Sequence, residues 1–96
     1  MRYLVQSKQF KRDLKRIAMS GNRYRNILNK ELRDVVKTLA NDEPLDYFYQ
    51  DHALIGKRYG SRECHLAFDF LLVYRYEDDD KLILERLGTH SEVLGL

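Results

Sequence analysis

RECHLAFDFLLVYRY, residues 62–76, is the stretch on which the fold turns. Between positions 63 and 69 the hydrophobic period is two. Cys64, Leu66 and Phe68 alternate with Glu63, His65, Ala67 and Asp69, as in a strand with one face buried. Residues 70–76 are rich enough in apolar and aromatic residues to be a central strand. Asp78-Asp79-Asp80 then makes a polar turn, and residues 81–87 return as a third strand, giving an antiparallel meander.

Upstream the period lengthens. Tyr3-Leu4-Val5 is a short apolar stretch expected as a strand. Ser7 stands where a helix N-cap is wanted, and Phe10, Leu14, Ile17 and Ala18 follow at i, i+4, i+7 and i+8. Gly21-Asn22 interrupts this helix. Ile27, Leu28, Leu32, Val35, Val36, Leu39 and Ala40 then carry a second, longer helical stripe towards the break at Pro44. The two helices form a hairpin whose Lys and Arg residues lie mostly on the wet side. Residues 46–61 lose all periodicity and read as a loop, with Leu54-Ile55 as its anchor to the core. Helices first and strands afterwards predict an α+β fold: an N-terminal helical hairpin packed on a small antiparallel β-sheet, with the second sheet face partly open.

A chain of 96 residues, 44% hydrophobic and 33% charged, is expected to be one domain spanning residues 1–96. Its size suffices for a stable core without metal or disulfide staples. Cys64 is the only cysteine, so no internal disulfide can form and a reducing cytoplasm is the expected compartment. No apolar run approaches the ~20 residues that span a bilayer, and the first residues lack the apolar centre of a signal peptide, so no membrane partner is expected. The net charge of +2 conceals a polarity: residues 1–40 hold 11 Lys/Arg against 3 acids, and the remainder holds 6 against 12. A basic first half fits a surface that faces a polyanion, nucleic acid above all, although solvated helix faces would look the same.

Strand geometry places Glu63, His65 and Asp69 on the face opposite Cys64 and Leu66. His52, in Asp51-His52-Ala53-Leu54, and His90, in Gly88-Thr89-His90-Ser91, are expected in flanking loops, where site residues are commonly found. Imidazole both takes and gives a proton near neutrality, so two histidines flanking a phosphodiester suffice for acid and base catalysis. RNA supplies its own nucleophile in the 2′-hydroxyl. Arg62 or Arg86 would stabilise charge on the transition state, and Asp69 would hold a histidine in its productive tautomer. This chemistry requires no metal and no cofactor. Zinc held by the three histidines and Asp69 is the main competitor, but no two histidines stand at helical i, i+4 spacing. Cys64, among core-facing residues, is expected to be an inert thiol.

The ordered set Asp51-His52-Ala53-Leu54, Gly56, Arg62-Glu63-Cys64-His65, Asp69, Leu71-Leu72-Val73-Tyr74 and Arg86-Leu87-Gly88-Thr89-His90-Ser91 to Gly95 resembles the YafQ-type toxins of the RelE/ParE superfamily. The resemblance implies a type II toxin that acts as a ribosome-dependent endoribonuclease on mRNA and is held inactive by a cognate antitoxin. It implies catalytic roles for His52, His65, Asp69 and His90, with His90 as general acid and either His52 or His65 as base. Glu63 lies beside the site, and Arg62, Glu63, Arg86 and Leu94 are the expected substrate contacts. Leu94 stands where the family carries a bulky aromatic that helps position a base. The basic hairpin would grip ribosomal RNA while the cleft holds messenger. A ParE-like gyrase inhibitor and a non-catalytic RNA-binding domain are the alternatives; three histidines beside Asp69 argue against the first, since gyrase inhibition needs no acid–base set.

Overall fold

The computed structural model describes residues 1–95, so the last position of the expected 1–96 domain, Leu96, lies outside the described residues. Five strands, β1 (Tyr3–Gln6), β2 (His52–Ala53), β3 (Arg62–Ala67), β4 (Phe70–Glu77) and β5 (Lys81–Gly88), form one sheet in the order β1-β5-β4-β3-β2. The three strands of the meander are where the sequence puts them. The sheet as a whole is mixed rather than antiparallel, because β1 pairs with β5 in parallel, Leu4 opposite Leu82 and Val5 opposite Ile83. A parallel pair needs a long crossover, and the helices supply it.

α1 (Lys8–Ala18) starts at Ser7, whose Oγ accepts the Phe10 N–H at 2.9 Å and donates to the Glu85 carbonyl at 2.8 Å, tying the helix start to β5. The second helix is less regular than its stripe predicts. After a 3₁₀ turn at Asn22–Tyr24 the chain makes a π-helical turn, Ile27–Glu31, and only then α2 (Leu32–Ala40). The wider turn still packs Ile27 and Leu28 against the core. Phe10, Ile17, Val35 and Leu39 from the helices meet Cys64, Leu66, Leu72, Tyr74, Leu84 and Leu87 on one sheet face. Burying them supplies most of the stabilisation, at roughly 25 cal/mol per Å² of apolar surface removed from water.

Three expectations are corrected. The region 46–61 is not featureless: it holds a 3₁₀ turn at Tyr47–Tyr49, strand β2, and a second turn at Gly56–Arg58. Leu54-Ile55 is not its anchor, since Ile55 is 87% exposed; Leu45 and Tyr49 pack on the core instead. β3 ends at Ala67, and Phe68, expected among the core-facing residues, is 99% exposed in the turn to β4. The turn needs a left-handed residue, and Asp69 provides it at φ 50°. The second sheet face is roofed by a short helix, α3 (His90–Leu94), whose Val93 is buried. Among the described residues no helix is long and apolar enough to cross a membrane.

Candidate active site

The open face of β3 carries Glu63 and His65, because Cys64 and Leu66 turn towards the helices. β2 is only two residues long, yet it pairs His52 directly with Glu63. Glu63 is 4% exposed; its Oε1 lies 3.0 Å from His52 Nε2 and 3.8 Å from His65 Nε2, and its Oε2 is buried without a partner. The Nδ1 of His52 lies 2.7 Å from the carbonyl of Gln50. A carbonyl only accepts, so Nδ1 donates to Gln50 and Nε2 faces the Glu63 carboxylate.

His90 arrives from the other side, as the first residue of α3. Thr89 and Glu92 form a reciprocal capping box there, Glu92 N–H to Thr89 Oγ1 at 3.2 Å and Thr89 N–H to Glu92 Oε1 at 2.9 Å. Asp69 closes the constellation: its Oδ1 accepts the His90 backbone N–H at 2.9 Å and sits 2.6 Å from His90 Nδ1. These two hydrogen bonds, the backbone one foremost, hold the Asp69 carboxyl below its ordinary range. His90 Nδ1–H is thereby committed to Asp69 and Nε2 is left for the cleft. The ring centroids of His65 and His90 are 5.4 Å apart, edge to face, and those of His52 and His65 are 6.3 Å apart. His52, His65, Asp69 and His90 therefore converge, with Glu63 beneath them.

The arginines divide. Arg62 points to the helix side with Cys64, where both its Nε and Nη2 lie 3.3 Å from Asp51, which also accepts from Tyr74 Oη at 2.5 Å. Arg62 is not brought to the histidine cluster with the other expected site residues, because a residue next to Glu63 in a strand faces the opposite way. Hydrogen bonding to Asp51 raises the Arg62 pKa further, and burial first, then Asp51, raises that of Tyr74. Arg86 lies on the open face in the same cross-strand row as Glu63, through Val73. It is held by the buried Asp13 at 2.8 and 3.2 Å and by the Glu92 carbonyl at 3.1 Å. Leu94 ends α3, half-buried on the wall of the groove beside Arg86. Burial pushes the Cys64 thiol well up, in keeping with an inert core residue.

Sequence reasoning gave no role to Asp13, to Asp51 or to the Thr89–Glu92 capping box. Asp13 had a local signal: it is the one acid inside a basic helix, three residues from Phe10 on the apolar side. The capping box was likewise spelt out, Thr89 followed by Glu92. Asp51 is positioned by long-range pairing that no local pattern reports.

The metal-ligand set also differs from the one weighed in the sequence. Glu63, His65 and His90 bring one donor atom each to within 4.8 Å of one another, without His52 or Asp69. Two imidazoles and a carboxylate suit zinc or copper, although ligands ~2.1 Å from a tetrahedral ion stand only about 3.4 Å apart, so the trio would have to close.

A small α+β chain with this cluster matches, over residues 2–95, the family model described as the bacterial toxin of type II toxin–antitoxin systems, YafQ. Fold and match together define the class: a toxin of a type II toxin–antitoxin system. The mRNA interferase toxin YafQ of Escherichia coli K12 is 33% identical over 90 residues, 93% of this chain and 91% of the relative. A metal-bound toxin from Helicobacter pylori superposes with TM-score 0.81 at 42% identity, covering 96% of this chain and 98% of the other. The YafQ of the E. coli DinJ–YafQ complex gives TM-score 0.78 at 30% identity, covering 96% and 97%. The chain belongs to the YafQ family.

Proposed function

We propose that this toxin is a metal-independent endoribonuclease that cuts ribosome-bound mRNA with the RNA 2′-hydroxyl as nucleophile. The observation that supports it most is the convergence of three imidazoles with Asp69 on one open sheet face. His65 is the base, because both nitrogens of His52 already face acceptors while His65 Nε2 stands 3.8 Å from Glu63, beyond hydrogen-bonding range. His65 takes the 2′-hydroxyl proton, the 2′-oxygen bonds to phosphorus, and the 5′-oxygen leaves with the proton of His90 Nε2. The products are a 2′,3′-cyclic phosphate and a 5′-hydroxyl. Glu63 and His52 hold the floor of the site, Arg86 stabilises charge on the phosphorane, and Leu94 borders the bound strand.

The E. coli relative is solved as a complex with DinJ, which supports a cognate antitoxin as the partner here. A substrate on the ribosome places the protein in the cytoplasm. One core shared by helices and sheet supports reading residues 1–96 as a single domain.

The test is the chemistry of message ends after brief induction. Cyclic or 3′-phosphate ends are expected, lost in His65→Ala and His90→Ala variants that keep their melting temperature. Ends bearing 3′-hydroxyl exclude attack by the ribose. A metal reading has its own support in the Glu63–His65–His90 trio and the metal-bound relative. A metal there would take the lone pairs that proton transfer uses, so added zinc should slow cleavage and a chelator should restore it. Loss of cleavage on chelation would reverse the assignment.

A further inference from the structure

Beyond the histidine cluster the open face continues into a groove of about 830 Å³, running between α3 and the turn at Gly56–Arg58. Lys57, Arg58, Arg75 and Arg86 line it against two carboxylates, Glu85 and Glu92. Both carboxylates are engaged: Glu85 accepts from Ser61 Oγ, and Glu92 from Arg16 at 3.0 Å and the Thr89 N–H at 2.9 Å. The cations are less fully used. Arg75 gives Nη2 to Glu77 at 2.8 Å, while its Nη1 is buried and has no partner. A guanidinium N–H without an acceptor is unfavourable, and because the Arg75 side chain is 35% exposed, a small rotation of the guanidinium would present that N–H to a phosphate oxygen in the groove.

Register fixes where this group stands. Val73 is flanked by Glu63 on β3 and Arg86 on β5, so the row running from His52 through Glu63 to Arg86 crosses β4 at Val73. Arg75 is two residues further along β4, on the same face and roughly 7 Å away. That offset is too great for the scissile phosphate itself and suits a neighbour on the same strand.

We propose that this groove binds the RNA backbone next to the cleavage point, with Arg75 holding a flanking phosphate through Nη1 and Lys57 and Arg58 extending the track. The proposal rests on the ribonuclease reading for the identity of the polyanion. The contacts are to phosphate, so they fix the position of the message without selecting bases.

The experiment uses the full chain carrying His90→Ala, which cannot cut, and a short fluorescent single-stranded RNA whose affinity is followed against salt by anisotropy. Each phosphate neutralised on a single strand contributes about 0.7 to the slope of log K against log salt. Arg75→Gln should lower the slope by about 0.7 and weaken binding about fivefold at low salt. Arg75→Lys, which keeps the charge, should keep most of the slope. Lys57→Gln, at an exposed position, should lower the slope with little change in melting temperature. An unchanged slope in both Gln variants overturns the proposal, as does an acidic peptide that competes with the RNA equally at matched charge. Should the unmutated toxin leave messages whole while these slopes behave as expected, the groove stands and the nuclease reading falls.

Discussion

Asp69 serves the site with one oxygen. Oδ1 takes both the backbone N–H and the Nδ1–H of His90, so a single carboxylate fixes the start of α3 and the tautomer of its first side chain. Its pKa in the fold lies below the usual 3.8, the hydrogen bonds from His90 being the cause. A group depressed in this way stabilises the fold above its unfolded pKa, and that contribution disappears as pH falls through the folded value. Asp69→Asn should therefore melt below the unmutated toxin between pH 5 and 7, with the gap closing from about pH 4 downwards. A gap of constant width from pH 7 to pH 3 would mean that the carboxylate is not the stabilising species. Activity should fall by about 10²-fold, because an amide can turn its NH₂ to Nδ1 and fix the wrong tautomer. The pairing of Glu63 with His65 was legible in the alternation of residues 63–66. The route by which Asp69 joins them was not, because a left-handed turn residue breaks the alternation that seemed to place it.

Helix α3 is five residues long, far below the length at which a helix holds itself together in water. It persists through what grips it: the Thr89–Glu92 box, the Asp69 clamp, buried Val93, and Arg58 and Arg86 on the carbonyls of Val93 and Glu92. Gly88 admits it closely. A Cβ there would meet Glu92 Oε1 at 2.8 Å, and φ of 151° already disfavours a side chain. Thr89→Ala should cost about 1 kcal/mol of stability and lower Tm by about 4–8 °C. It should also slow cleavage about tenfold, since His90 is the next residue, and speed amide exchange within α3 ahead of the sheet. Unchanged exchange in α3 would show that Asp69 and Val93 hold the helix without the box. A five-residue element offers no periodicity to read, which is why residues 90–94 passed for a loop, whereas β3, β4, β5 and α1 announced themselves by their repeats. β1 was visible as a strand but its parallel pairing was not, for register with β5 depends on a crossover through most of the chain.

The whole molecule separates its two charges of work by sheet face. Helices α1 and α2 cover one sheet face and the histidines stand on the other, while Asp13 and Arg16 of α1 reach round the β5 edge to Arg86 and Glu92. Lys8, Lys11, Arg12 and Lys15 are exposed on α1 and take no part in the ion pairs found among the described residues. The proposed function calls for two polyanion-facing surfaces, one to anchor on ribosomal RNA and one to cut the messenger. Lys11→Gln with Lys15→Gln removes charge from the anchoring side alone, and solvated lysines contribute little to stability, so Tm should hold within ~2 °C. Association with ribosomes should weaken, and the slope of its logarithm against log salt should shrink by about 0.7–0.9 for each phosphate that is no longer neutralised. Cleavage at saturating toxin should be preserved, because the double substitution touches no group within the cleft. If affinity and slope both stay unchanged while Arg75→Gln alters RNA binding, the anchoring surface is not α1, and the charge polarity of the sequence serves the antitoxin instead.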